Sequence, residues 1–129
     1  MNNKGFSTIL MVLAVGVGGL AVVFSLSSLS ISSNRIVASY YYSKRATYLA
    51  EACANQGYLA TRNNLNFFGI QNFTVDNITC TFNVLYLGNN MRQVDAWATV
   101  RGHTKKIRAV YLIERSKLVL QSWQLVTDF

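Results

Sequence analysis

Residues 1–34 read MNNKGFSTILMVLAVGVGGLAVVFSLSSLSISSN, and after Lys4 no charged side chain occurs until Arg35. A secretory signal peptide carries its apolar core between a basic start and a small-residue cleavage site, and it loses that core on cleavage. Here the obvious junction, Lys4-Gly5 before Phe6, lies in front of the apolar run. A protease cutting there would leave the hydrophobic segment on the mature chain as its new N-terminus.

The apolar run is long enough to cross a membrane. As a helix, residues 6–26 would extend about 31 Å, which matches the hydrocarbon core of a bilayer. Small side chains in such a helix let another helix approach closely. The small residues of this run are Ala14, Gly16, Gly18 and Gly19. They are interpreted either as a packing seam for neighbouring helices or as part of a plain single-pass anchor.

The helix is predicted to continue to about Arg62, because apolar residues keep recurring beyond the serine-rich stretch 25–33. The predicted inner stripe of its second half consists of Tyr42, Leu49, Ala52, Cys53, Gln56, Leu59 and Ala60. Residues 61–77 follow as a predicted connection that is rich in asparagine and contains Phe67, Phe68 and Phe73. Its length favours a functional or surface-contact role.

From Ile78 onward the apolar period becomes two, which is typical of half-buried strands. Four strands are predicted, near residues 78–86, 94–100, 107–113 and 118–126. Turn signals separate the first three, at Gly88-Asn89-Asn90 and at Gly102-His103-Thr104. Short spacers predict an antiparallel meander. The fold class is therefore α+β: a long N-terminal helix, membrane-spanning in its first half, packed through its second half on a four-stranded antiparallel sheet.

Cys53 and Cys80 are the two cysteines of the chain. Cys53 lies on the predicted inner stripe of the helix, and Cys80 lies on the apolar face of the first predicted strand. Because both point into the same interface, a disulfide between helix and sheet is predicted, as suits a domain outside the cytoplasm. Two unpaired buried thiols are the alternative.

Composition argues against an enzyme. The 129 residues include one histidine and five acids, which are dispersed along the chain. General acid–base or triad chemistry has little to use here, a zinc site lacks ligands, and no cofactor is expected. His103 is expected to be an exposed turn residue.

The formal charge of +7 favours anionic partners. The candidate contact for nucleic acid or another anion is a basic cluster at a predicted hairpin, namely Arg101, Lys105, Lys106 and Arg108. The alternative is an edge hairpin that lysine and arginine keep soluble.

The leader, the apolar run and the layout of long helix and small sheet resemble the bacterial type IV pilin and pseudopilin superfamily. The resemblance implies processing at Lys4, Gly5 and Phe6: a prepilin peptidase cleaves after the glycine and methylates the new N-terminal phenylalanine. Most pilins carry glutamate at the fifth residue after the scissile bond, where this chain has Leu10. That departure resembles minor pilins and tip-type pseudopilins.

The resemblance divides the chain into a leader (1–5), a transmembrane and assembly helix (6–34) and a pilin-like globular domain (35–129). It implies a single-pass protein of the inner membrane that later becomes part of a cell-surface filament. The implied partners are copies of itself or other pilins, the prepilin peptidase, inner-membrane assembly machinery and membrane lipid. Two alternatives remain: a monomeric, membrane-anchored extracytoplasmic binding domain, and a DNA-binding minor pilin of a DNA-uptake filament.

Overall fold

The computed structural model describes the backbone of residues 4–127 and the side chains of residues 5–127. Its elements are α1 (Lys4–Asn63), β1 (Gly69–Val75), β2 (Ile78–Gly88), β3 (Met91–Val100), β4 (His103–Glu114) and β5 (Lys117–Val126). The predicted α+β class is confirmed, since the second half of α1 packs on an antiparallel sheet. The described chain falls into two compact units, one up to Ala38 and one from Ser39 onward.

The sheet is an antiparallel meander in which the five strands lie side by side in chain order. Two-residue turns join its strands, and both residues of each turn have positive φ. Such turns match the twist of the strands and keep consecutive strands paired. The four turns are Asp76-Asn77, Asn89-Asn90, Arg101-Gly102 and Arg115-Ser116.

The sheet has one strand more than the four that the sequence predicts. The additional strand, β1, lies inside the segment predicted as a connection, and it pairs with β2 from Gly69↔Val84 to Val75↔Ile78. Its apolar alternation is weak because it is an edge strand, and its turn to β2 lacks a glycine. The connection between helix and sheet therefore shrinks to residues 64–68.

The core lies between the second half of α1 and the middle of the sheet. Alanines supply much of the helix side, so the two layers approach closely. The buried helix residues are Ala46, Leu49, Ala50, Cys53, Ala54, Gly57 and Thr61. The buried sheet residues are Cys80, Phe82, Val84, Val94, Ala96, Ala98, Val100, Ile107, Ala109 and Tyr111.

The predicted inner stripe of the helix needs a partial correction. Leu49 and Cys53 are buried as predicted, but Leu59 is 42% exposed. Apart from Leu49, the fully covered helix residues are small ones spaced three and four apart. Thr61 fits among them because its hydroxyl donates to the Gly57 carbonyl at 2.9 Å, which leaves no buried polar atom of that side chain unpaired.

His103 is not a turn residue. It opens β4 opposite Val100 and is half-buried, and its Nε2 lies 3.5 Å from Oγ of Ser39. The expectation of an exposed turn histidine is therefore wrong, because the turn falls one residue earlier, at Arg101-Gly102.

Candidate functional site

The first unit presents an apolar surface that nothing within the described chain covers. Every side chain from Gly5 to Ala38 is exposed. The large apolar side chains of this unit range from 53% exposed at Leu10 to 76% at Phe24. The helix is long and apolar enough to span a membrane. Because exposed apolar surface of this extent is unfavourable in water, lipid or other protein must cover it.

The glycines of the apolar run leave notches on two sides of the helix, because Gly18 lies about 160° around the helix axis from Gly16. A Cβ added at Gly16, Gly18 or Gly19 would have nothing within 4 Å outside the helix backbone. Ala14 lies one turn before Gly18, so the two form a small-xxx-small pair. In the absence of bulky side chains, another helix can approach this surface closely.

Three serines of the serine-rich stretch bond their hydroxyls to carbonyls of the same helix. Ser25 and Ser27 each donate to the carbonyl four residues earlier at 2.8 Å. Ser28 donates to the Ser25 carbonyl at 2.9 Å. These bonds satisfy the hydroxyls without water, so this part of the helix suits an apolar as well as an aqueous environment.

The predicted processing residues lie at the start of α1. Gly5 and Phe6 are helical, and the Phe6 ring is 69% exposed. Residues 1–3 and the side chain of Lys4 lie outside the described residues. Leu10 is an exposed apolar residue on this helix. Cleavage after Gly5 remains a prediction.

The predicted disulfide is confirmed. Cys53 of α1 and Cys80 of β2 are both buried and form a disulfide, with their Cα atoms 6.1 Å apart. It joins the helix to the sheet at the centre of the core. Since disulfides persist in oxidising compartments, it indicates that the second unit lies outside the cytoplasm.

The four predicted anion-contact residues do not form one patch. Lys105 pairs with Ala98 and shares the helix-side face of the sheet, whereas Lys106 pairs with Trp97 on the opposite face. Arg101 lies in the β3–β4 turn, where its guanidinium carbon is 5.9 Å from the centre of the Tyr42 ring. The hairpin therefore spreads its positive charge over two faces and a tip.

Arg108 is held by a carboxylate within the fold. Its Nε donates to Oδ1 of Asp95 at 2.8 Å, and a terminal nitrogen donates to Oδ2 at 3.2 Å. Gln93 donates to the same carboxylate at 2.8 Å, and Asp95 is only 4% exposed. The hydrogen bond that Arg108 donates to Asp95 raises the pKa of Arg108 above its usual value. This ion pair stabilises the sheet. Reversing the charge of residue Arg108 would leave the buried Asp95 carboxylate without its cation.

A second apolar surface, which sequence reasoning misses, lies on β5. Trp123 pairs with Ala109 and Leu125 with Ile107, so both point to the helix-side face of the sheet. The helix does not cover this edge, because Trp123 is 37% exposed and Leu125 is 57% exposed. The alternation of apolar residues in the strand predicts one apolar face, but only the position of α1 decides that this part of the face stays open.

Comparison with protein-family models, with curated proteins and with solved structures found no match. The architecture is pilin-like, with a long N-terminal apolar helix packed on an antiparallel sheet.

Proposed function

We propose that this chain is a structural, non-enzymatic subunit of a type IV pilus or of a related pseudopilus filament. The observation that carries the proposal is the exposed apolar half of α1, which has no charged side chain from residue 5 to residue 34. Each large side chain in it contributes about 1.5–3 kcal/mol when it is removed from water. The segment is stored in the membrane as a single-pass anchor and later packs among the same segments of other subunits.

Two features favour assembly over simple anchoring. The open surface at Ala14 and Gly18 lets a neighbouring helix pack closely, which a lipid-facing anchor does not require. The Lys4-Gly5-Phe6 junction precedes the apolar run, so cleavage there keeps the assembly helix on the mature chain. The apolar edge of β5, with Trp123, offers a further surface for a neighbouring subunit.

Leu10 favours a minor or tip-proximal subunit. A glutamate at this position in most pilins is thought to pair with the N-terminal amine of a neighbouring subunit, and leucine cannot make that contact. A subunit without the pair enters a filament through apolar packing alone. The partners are then other pilins, a prepilin peptidase, inner-membrane assembly proteins and, before assembly, lipid.

Intact-mass spectrometry of the protein from its native host tests the proposal. Membrane and sheared surface fractions are compared, and the expected species in the sheared fraction lacks Met1 to Gly5 and carries one added methyl group. A Gly5→Leu variant should stay full-length in the membrane, while Gly16→Ala, a glycine substitution inside the apolar run, should be processed normally. A full-length wild-type chain confined to membranes would contradict the proposal and favour a membrane-anchored binding domain.

A further inference from the structure

A groove lies at the end of the second unit where α1 stops. The connection after the helix forms one side of the groove, and the β2–β3 hairpin forms the other. Its volume is about 650 Å³, within the range of small-ligand sites. The lining residues are Asn66, Phe68, Tyr86, Asn90 and Arg92.

Two aromatic rings in this groove are exposed without contributing to the core. Phe67 packs against Phe82, with ring centres 6.5 Å apart, and so supplies the apolar contact that the connection makes with the sheet. Its neighbour Phe68 is 76% exposed, and Tyr86 is 62% exposed. Single exposed apolar residues are common, but two rings in one groove mark a contact surface.

The walls of the groove are fixed by contacts within the protein. The guanidinium of Arg92 lies 4.5 Å from the centre of the Tyr86 ring, and it donates to the Leu65 carbonyl at 2.9 Å. Arg92 thereby ties the hairpin to the connection. The backbone N–H of Asn66 donates to the Asn64 side chain at 3.1 Å. The Asn90 carbonyl accepts from the Ile113 N–H at 2.8 Å, which anchors the turn. A ligand would meet a groove that is already formed.

The chemistry of the lining selects the ligand. The two asparagine amides offer neutral donors and acceptors, and the two rings offer flat apolar faces. None of the lining residues is acidic. The one cation of the lining, Arg92, already lies over Tyr86 and donates to the carbonyls of Met91 and Leu65. The groove therefore lacks the row of cations that tracks a phosphate backbone. Hydroxyl groups suit the amides, and the C–H faces of hexose rings suit the aromatic faces.

We propose that this groove binds a neutral oligosaccharide segment, with sugar rings stacked on Phe68 and Tyr86 and hydroxyls bonded to Asn66 and Asn90. Arg92 positions Tyr86. The assignment does not depend on filament formation, because all of these residues belong to the second unit and the site forms within one subunit.

Full-length protein in phosphatidylcholine nanodiscs is the material for the test, since sugar-based detergents would compete for the groove. The probes are an array of neutral tetra- to hexasaccharides of hexose and N-acetylhexosamine, followed by calorimetric titration of the best binder. A twelve-residue thymidine oligonucleotide serves as the anionic probe.

The expected result is oligosaccharide binding that varies little with salt. Phe68→Ala and Tyr86→Ala should each weaken it about tenfold or more, as the loss of a stacked ring does in other ligands. Tyr86→Phe keeps the ring and should bind within about twofold of wild type. The matched control is Tyr48→Ala, which removes a 66% exposed ring on the helix outside the groove.

Three results would overturn the assignment: no binding of any neutral oligosaccharide, an equal loss in Tyr48→Ala, or tighter binding of the oligonucleotide that falls with salt. The last would identify the groove as a nucleic-acid site. Unchanged thermal unfolding of Phe68→Ala and Tyr86→Ala separates loss of the site from loss of the fold. Mass spectrometry of processing is unaffected by any of these outcomes, so this proposal and the filament proposal fail independently.

Discussion

Gly57 is the position on α1 where the sheet packs so closely that it leaves no room for a side chain. A Cβ added there would lie 2.5 Å from Cγ1 of Val94 and 3.1 Å from Cδ2 of Phe82. Both neighbours are buried, and the β-branched Val94 is stiff. Glycine in a helix normally costs about 1 kcal/mol relative to alanine, so here close packing outweighs helix propensity.

We expect Gly57→Ala to lower the free energy of unfolding by about 1–2 kcal/mol, because the overpacking cost exceeds the propensity gain. Urea titration of the oxidised protein measures the change. Adding Val94→Ala should relieve the contact, so the double variant should lose less stability than the two single variants together. If the losses of the two single variants simply add in the double variant, or if Gly57→Ala is as stable as wild type, the layers have room for the methyl group.

The buried Tyr111 makes the stability of the fold depend on pH in the alkaline range. It is 4% exposed and its ring centre is 5.2 Å from that of Tyr58. Burial, and to a smaller extent the charge interaction with Tyr58, raises the pKa of Tyr111 from its usual value of 10.0 to about 12. The folded state therefore holds this proton more tightly than the unfolded state does. The resulting stability is fully present below about pH 10 and is lost as the pH rises towards 12.

We expect Tyr111→Phe to remove this component of the alkaline loss. Between pH 10 and 12, wild type should lose up to about 1.4 kcal/mol per pH unit relative to the variant. Unfolding titrations at a series of pH values give both curves. Tyr48→Phe, which removes the hydroxyl of a 66% exposed tyrosine, is the matched control. A constant difference between wild type and Tyr111→Phe would mean that Tyr111 titrates as an exposed tyrosine does.

At the scale of elements, one covalent link holds the helix on the sheet. Cys53 and Cys80 are 27 residues apart in the chain. Replacing both by alanine should reduce the free energy of unfolding by about 3.5 kcal/mol on the chain-entropy account. Equilibrium unfolding with and without reductant measures it: reductant should destabilise wild type and leave the double variant unchanged. If reductant affects neither protein, the disulfide contributes nothing to holding these elements together.

The apolar half of α1 has a testable packing face. Gly18→Leu fills the open notch next to Ala14, so neighbouring helices should be held apart while membrane insertion and processing continue. We expect about tenfold less subunit in sheared filaments, which corresponds to a loss of about 1.4 kcal/mol per association step.

Quantitative blotting of sheared and membrane fractions measures the effect of Gly18→Leu. Val17→Leu enlarges the adjacent position, which points away from Gly18 around the helix, and serves as the control. Equal filament yields from the two variants would place the seam elsewhere on the helix.

At the scale of the whole molecule, the core belongs to the second unit alone. Among the described residues, the buried apolar cluster begins at Ala46 and ends at Tyr111, so all of its members belong to the second unit. We therefore expect residues 39–129, produced under oxidising conditions, to fold without the apolar helix and to unfold within about 5 °C of the full chain, a shift that corresponds to about 1 kcal/mol.

Circular dichroism and size-exclusion chromatography of the truncated chain test this independence. The same truncation carrying Cys53→Ala and Cys80→Ala should still fold but melt at a lower temperature. If the disulfide-bonded truncation were unfolded or aggregated, the first unit would be required for the fold and not only for attachment.

Much of this protein can be predicted from local sequence. The apolar run, the extent of the helix and the strands after Ile78 follow from periodicity, because a helix and a strand each impose a repeat on neighbouring residues. The disulfide follows as well, since the periodicities of the helix and of the strand place Cys53 and Cys80 on facing surfaces. These features depend on residues near one another in the chain.

Only the tertiary structure decides the remaining features, because each depends on residues far apart in the chain. β1 forms because β2 is available to pair with it, although its own alternation is weak. The pairing of Arg108 with Asp95 depends on the register of β3 against β4, which brings the two side chains together. Phe68 and Tyr86 line one groove because the connection and the β2–β3 hairpin meet where α1 ends. Periodicity identifies elements, but the register and packing between elements determine which side chains share a site.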